Sequence, residues 1–377
     1  MKKFLIPLLT VAVVAIALAG CMPGAAPAPP APAPPAPAPP APAPPAPAPP
    51  APAPPAPAPP EEVYTLLYHC PWPPGQILSD IETWYLDEVE ARTEGRVTFE
   101  RVYGGTLGTL FAQAENLTGR VFDVGQVSYV YTPGLYPLGT VTTLPAIEAD
   151  THVWSRAVHA LLKQDPRLEA EYAAVNHKYL FVWGLEPMEM MCHQEVHTLD
   201  ELVGLRIRVH GGSALAGDKL GWTGVTVTWE ELPVAAAEHL IDCGCFPPPI
   251  TGRDAGLHTI FKYYLHPFPV YQFHFATAIN LDAWNEIPAD LQQIMLEVGD
   301  DGVEYGLSYL DEKIEEGYQD FEEAGVITID WPAEEWEKFV ELAGEPVWED
   351  WVAEQEAAGR PGREILDAFQ ALLAEYR

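Results

Sequence analysis

The chain has 377 residues and a formal net charge of −34 at pH 7, from 54 acidic against 20 basic residues. That balance argues against a nucleic-acid partner, because nothing in it forms the basic stripe that replaces phosphate counterions. It also repels small anions at long range, so an anionic ligand has to be held by local, dry contacts.

Lys2 and Lys3 precede an apolar run from Phe4 to Gly20, the pattern of a secretory signal peptide over residues 1–20. It ends "LAGC" at Leu18 to Cys21, which resembles the lipobox of bacterial lipoproteins. The resemblance implies that Cys21 is diacylated and becomes the mature N-terminus. Two acyl chains suffice for stable attachment to a bilayer. Loss of Lys2 and Lys3 with the leader takes the formal charge from −34 to −36. Residues 21–60 are the lipidated cysteine and a linker of almost pure Pro and Ala, which has no core to bury and holds near polyproline II. At about 3.1 Å per residue it spans on the order of 120 Å.

The remaining 317 residues, from Glu61, are enough for two lobes. "VYTLLYHC" from Val63 reads as a buried parallel strand. A helix over Leu78–Arg92 follows, with Ser79 as a cap and Gly95 past its end. Arg96–Val102 is the next strand, Phe111–Leu117 a helix and "RVFDVGQVSYV" a strand. "YGGTLGTL" between them lacks the register of a phosphate loop. Helix over Asp150–Lys163 and strand over Tyr179–Gly184 continue an alternation that predicts a parallel α/β sheet. Helix over Ser213–Leu220, strand "VTVTW" ending at Trp229 and strand Phe275–Asn280 come next, with Thr228 capping the helix after Trp229. From Pro288 to about Ala324, 37 residues with no further proline keep a 3.6-residue apolar period, a helix of roughly 55 Å that Gly299, Gly302 and Gly306 are expected to bend. "VITIDW" and two tryptophan-bearing helices close the chain.

The block "TLDELVGLRIRV" puts Arg206 and Arg208 two apart in an apolar strand, on one face by alternation. A guanidinium there can grip a carboxylate through two parallel hydrogen bonds, or both arginines can be solvated on a surface strand. Beyond Cys21, the four cysteines Cys70, Cys192, Cys243 and Cys245 allow three pairings. Cys243 and Cys245 share a strand face and are badly placed to bond each other. His69 and His193 adjoin cysteines, but no zinc-ligand spacing is present, so buried thiols or one disulfide are the reading. There is no G-x-S-x-G elbow and no H-E-x-x-H pair, so the histidines His69, His193, His210 and His274 do not suggest an enzyme.

The order of "YH", "VEARTEGRV", "GGTLG", "GRVFDVG", "YTPGLYPL", "LPAIEAD", "LDELVGLRIRV", "EEL" with "IDCG", and "INLDAWNEIPADLQQIM" resembles the solute-binding subunit of a tripartite ATP-independent periplasmic (TRAP) transporter, the DctP-like family. The resemblance covers Glu61 to Arg377. It implies an α/β fold of two periplasmic-binding-protein-like lobes, joined by crossing strands and one long helix that spans both. The implied division is 61–186 with about 273–305 for the first lobe, and 187–272 with about 306–377 for the second. It implies capture of a small organic acid and delivery to small and large permease subunits outside the cytoplasm, with no cofactor and no catalysis. A ligand-sensing lipoprotein or a metal-dependent enzyme on the same fold is the alternative. Arg208 stands at the family's carboxylate anchor, and Arg206 replaces a lysine at the solvent edge or in a structural pair. Met188 stands where sialic-acid binders carry a second arginine, so one carboxylate is matched rather than two. Cys245 and Phe246 replace a Glu-Trp pair, and Tyr271 a further glutamate, of metal-dependent members, so no metal is expected. The implied ligand site is Arg208, Trp229, Phe246, Tyr271, Met188 and His69.

Overall fold

The computed structural model describes residues 62–377; the signal segment, Cys21 and the Pro/Ala linker lie outside the described residues. The first stretch of chain alternates strand and helix: β1 (Tyr64–His69), α1 (Ile77–Arg92), β2 (Val97–Val102), α2 (Gln113–Thr118), β3 (Val124–Val127), α3 (Thr151–Gln164), α4 (Pro166–Ala174) and β4 (His177–Gly184). A second run follows: β5 (Glu189–Cys192), α5 (Leu199–Leu202), β6 (Arg206–Arg208), α6 (Gly212–Leu220), β7 (Thr223–Val225), α7 (Leu232–Ala237), β8 (Cys243–Phe246) and β9 (Tyr263–His266). The chain then returns through β10 (His274–Asn280), α8 (Leu281–Glu286), α9 (Ala289–Ala324), β11 (Ile327–Asp330), α10 (Ala333–Phe339), α11 (Glu345–Ala357) and α12 (Gly362–Tyr376).

These elements build two lobes, each on its own sheet. The first sheet has the order β2-β1-β3-β10-β4 and the second β11-β9-β5-β8-β6-β7. β1 pairs parallel with β2 and β3, as helical crossovers require, while β10 enters antiparallel to β3 and β4. The chain crosses between lobes after β4 and again before β10. The two crossings run side by side, with Met188 N donating to Tyr271 O and Val270 N to Met188 O, both at 2.9 Å. This is the two-lobed α/β fold with crossing strands that the resemblance implied.

Helix α9 is the third connection, and it runs unbroken for 36 residues. Its glycines lie within one continuous helix. They let it approach backbone: a Cβ on Gly299 would lie 2.8 Å from Leu180 O, and one on Gly317 would overlap Pro249 O. The first half of α9 thus lies on β4 and α1, and the second half on the 248–252 turn of the other lobe. Surface pairs such as Arg92–Asp301 and Arg156–Glu304 flank it, but exposed pairs of this kind contribute little beside packing.

Other expectations change in detail. Ser79 does not cap α1; its Oγ donates to Pro73 O at 2.8 Å from inside the first turn, and Gln76 holds the cap position. Asp150 does cap α3, accepting from His152 N and Val153 N. The strand expected to end at Trp229 stops at Val225, where its pairing with β6 ends, and Trp229 stands in a turn. Thr228 Oγ1 still accepts from Glu231 N before α7, while Glu231 Oε2 accepts from Thr228. The C-terminal helices do not all join the second lobe. Trp351, Ile365, Leu366, Phe369 and Leu373 bury in the first-lobe core with Val153, Trp154 and Val158 of α3, and Trp348 Nε1 donates to Pro145 O at 2.7 Å. α12, a helix with no tryptophan, was not anticipated.

Of the three cysteine pairings, Cys192–Cys243 is formed, across directly opposed residues of antiparallel β5 and β8. Cys70 and Cys245 are free and buried.

Two outcomes follow. Replacing both Cys192 and Cys243 by serine releases a cross-link spanning 51 residues, and unfolding in denaturant will show a loss of up to about 4 kcal/mol. Gly317→Ala will lower the thermal midpoint even though alanine is the better helix former, because the clash with Pro249 O costs about 1–3 kcal/mol; an unchanged or raised midpoint would contradict the close approach.

Candidate functional site

The parallel pair β6–β8 places Arg208 beside Gly244 at the edge of the second lobe that faces the first. Arg208 is 2% exposed, whereas Arg206, two residues earlier, is solvent-facing and pairs with Asp242 at 2.6 Å. The same strand face therefore offers one arginine to solvent and one to the interior. Arg208 Nη1 donates to Cys245 O at 2.9 Å, and Nε to Val227 O at 3.4 Å, a carbonyl turned toward it where the chain leaves β7. Its guanidinium carbon stands 5.9 Å from the centre of the Trp229 ring, an added cation–π contact. No carboxylate lies within ion-pair distance of it among the described residues.

His210 continues the alternation. Nη1 of Arg208 lies 3.4 Å from its Nε2, and its Nδ1 is 3.0 Å from Tyr271 Oη. A guanidinium only donates, so the imidazole accepts from Arg208 through a ring nitrogen, with Nη1 at 3.4 Å from Nε2 and 3.5 Å from Nδ1. Burial, reinforced by the Arg208 charge, pushes the imidazole well below its ordinary pKa, so the ring is neutral at pH 7. Burial likewise pushes the Cys245 thiol up to about 12, leaving its carbonyl as the working group.

These groups close one end of a cavity of about 20 Å3 between the lobes. The first lobe contributes Trp72, Leu78 and Tyr131; the crossing strands contribute Leu185, Met188, Phe273 and Phe275; the second lobe adds Arg208, His210, Trp229, Pro247 and Thr251. The rings meet edge to face, Phe273 on Phe275 at 5.0 Å and Tyr131 on Phe273 at 6.1 Å. Trp72 is fixed by Gln126, whose Oε1 accepts from Nε1 at 3.0 Å while its Nε2 donates to Leu78 O at 2.6 Å. A volume of about 20 Å3 admits a water and little more, so an organic ligand enters by separation of the lobes. Larger hollows exist, one of about 200 Å3 beside α3 and α4, but Lys178 and Lys163 at its rim already pair with Glu169 and Asp300. The smaller cavity is the better site, because its buried cation lacks such a partner.

Of the residues expected at the site, Arg208, Trp229 and Met188 line the cavity together. Phe246 and Tyr271 lie one layer behind. Phe246 supports Trp229 at 6.3 Å, and Tyr271 is fully buried against His210. His69 does not reach the cavity. It sits in the first lobe, where Nε2 accepts from Leu107 N, Nδ1 meets Gln113 Oε1 at 3.1 Å and the ring packs on Phe122. His210 enters the sequence reading only among the histidines weighed for acid–base chemistry, and Phe273, Phe275, Trp72, Tyr131 and Thr251 are not assigned to the site there. The two-residue period was the available signal, since it carries Arg208 on to His210 and Tyr271 on to Phe273 and Phe275. Among the described residues no three His, Cys, Asp or Glu side chains are grouped to hold a metal ion, and no helix is long and apolar enough to cross a membrane.

The fold is similar to that of a TRAP periplasmic solute-binding protein from Desulfovibrio salexigens, at 23% identity and a TM-score of 0.74 over 83% of this chain and 96% of that one. It is also similar to a TRAP solute-binding protein from Rhodoferax ferrireducens in complex with copurified benzoate, at 21% identity and a TM-score of 0.72 over 83% and 98% of the two chains. A marine metagenome TRAP solute-binding protein from an unidentified microbe, specific for aromatic acid ligands, matches at 17% identity and a TM-score of 0.74 over 84% and 99%. At these identities the likeness is one of fold. The sequence itself, over residues 76–355, matches the family described as bacterial extracellular solute-binding protein, family 7 (DctP), and the chain belongs to that family.

Proposed function

We propose that this protein captures a small monocarboxylate with an aromatic body between its lobes and delivers it to the membrane permease subunits of a TRAP transporter. The observation that carries this reading is a guanidinium 2% exposed, with no carboxylate of the protein paired to it among the described residues. A buried charge calls for a partner, and here a ligand supplies it. The aromatic walls suit a flat, apolar body, and two proteins of the same fold are seen with benzoate and with an aromatic acid. Met188 offers no second cation, which favours one carboxylate over two. The arrangement is one of binding rather than catalysis: the imidazole beside the guanidinium is committed to Arg208 and Tyr271, and the nearest thiol is held protonated.

Calorimetry with benzoate and related acids tests this. Arg208→Ala is expected to cost roughly 3–5 kcal/mol, a loss of about a hundredfold to several thousandfold in affinity. Arg208→Lys will also weaken binding, since an ammonium lacks the planar fork. Arg206→Ala will change affinity far less, because Arg206 is engaged with Asp242 at the surface. A best ligand that is uncharged, or loss of binding with Arg206→Ala but not with Arg208→Ala, would overturn the assignment.

We further infer that the mature chain is tethered outside the cytoplasm through diacylated Cys21, with the Pro/Ala segment as spacer. Cys21→Ser is expected to move the protein from the membrane fraction to the soluble one; complete retention in the membrane would disprove the tether.

A further inference from the structure

Thr251 lines the cavity and is 6% exposed, yet its Oγ1 is buried with no hydrogen-bond partner among the described residues. A buried hydroxyl without a partner is unfavourable, and native proteins rarely leave one so. The side chain has no evident structural duty. It sits in the π-helical turn Pro248–Gly252, and the amides of that turn are satisfied by other groups. Ile250 N and Thr251 N both donate to Glu186 Oε1, at 2.8 and 3.2 Å, and Gly252 N donates to Pro247 O at 2.9 Å. Glu186 belongs to the crossing between lobes, and Gly317 of α9 presses on Pro249 from the other side. The turn is therefore held in place without the Thr251 hydroxyl.

The cavity around it is otherwise apolar on this side, with Leu78, Leu185, Pro247 and Phe275. None of these can meet the hydroxyl through its side chain. Among the polar atoms of this wall, Thr251 Oγ1 is one that is fully buried and has no hydrogen-bond partner among the described residues.

We propose that the acid held by Arg208 is a hydroxylated aromatic carboxylate, and that Thr251 Oγ1 recognises its ring hydroxyl. This rests on the monocarboxylate reading above and narrows it. A threonine hydroxyl both donates and accepts, so it matches a phenol in either sense. A ligand without the hydroxyl leaves Oγ1 unmatched in a dry site, which is how a binding site rejects an analogue lacking one polar group. Aliphatic hydroxy acids satisfy the threonine but offer no ring to pack against Tyr131, Phe273 and Phe275. Glu186 is a positioning residue that fixes where the hydroxyl stands.

The test is calorimetry on the intact protein with benzoate, the three hydroxybenzoate isomers and lactate. The wild type is expected to bind one isomer on the order of tenfold more tightly than benzoate, and lactate more weakly than either. In Thr251→Val the ratio between that isomer and benzoate is expected to fall to about one, while Thr251→Ser keeps a preference. The ratio is taken within each variant, so a general loss of affinity does not mimic the result. The proposal is overturned if no isomer exceeds benzoate in the wild type, a measurement that needs no variant. It is equally overturned if Thr251→Val preserves the ratio. Benzoate binding that depends on Arg208 without any hydroxyl preference removes this inference and leaves the monocarboxylate reading standing. Failure of every carboxylate removes both.

Discussion

A guanidinium buried without a carboxylate beside it is the constraint to which the rest of this molecule answers. In a chain carrying 54 acidic residues, pairing Arg208 internally would have been easy, and Arg206 shows it being done two residues away. Instead Arg208 is stabilised by dipoles: the carbonyls of Cys245 and Val227, the Trp229 face and a neutral His210. Each of these satisfies hydrogen-bond or quadrupole demands without cancelling the charge. The charge remains available, and the low dielectric around it strengthens any anion that arrives. Most of the acid excess is held at the surface and in exposed pairs, where solvent screens it from the closed cleft.

Holding that arrangement requires a rigid second lobe. The Cys192–Cys243 disulfide joins β5 to β8, the strand whose next residues supply Cys245 O and Phe246. Phe246 in turn supports Trp229. The opposing wall comes from a different sheet, so the cavity exists only between lobes. Its volume is set by the crossings at Leu185–Met188 and Val270–Phe273 and by α9. Helix α9 reaches both lobes through glycine contacts with backbone, and α10 to α12 carry the chain from the second lobe back to the first. A cleft built this way opens by motion at a few connecting residues while each half keeps its packing.

Family membership and fold were legible in the order and spacing of blocks along Glu61 to Arg377, and the same blocks marked Arg208 as the candidate anchor. The long helix was legible from its period, because a 3.6-residue repeat over many turns has few other solutions. The role of its glycines was not, since close approach depends on what lies opposite. The alternation that marked Arg206 and Arg208 as one face could not say which is buried; that depends on where the second sheet meets the first. His69 shows the converse error. A polar residue at a strand end looks like a rim group, but Gln113 and Leu107, far along the chain, enclose it in the first lobe.

By itself the sequence determined the two-lobed α/β architecture and the family, and it marked Arg208 as a candidate anchor and residues 1–21 as a candidate leader with its cysteine. These are local patterns, or patterns of order along one chain. The tertiary structure alone decided which cysteines pair, that α12 belongs to the first lobe, that Phe246 and Tyr271 stand behind the wall, and that Thr251 has an unmatched hydroxyl in the cleft. Each of those depends on distances between residues far apart in sequence. Such distances arise only when two sheets, two crossing strands and one long helix are packed together.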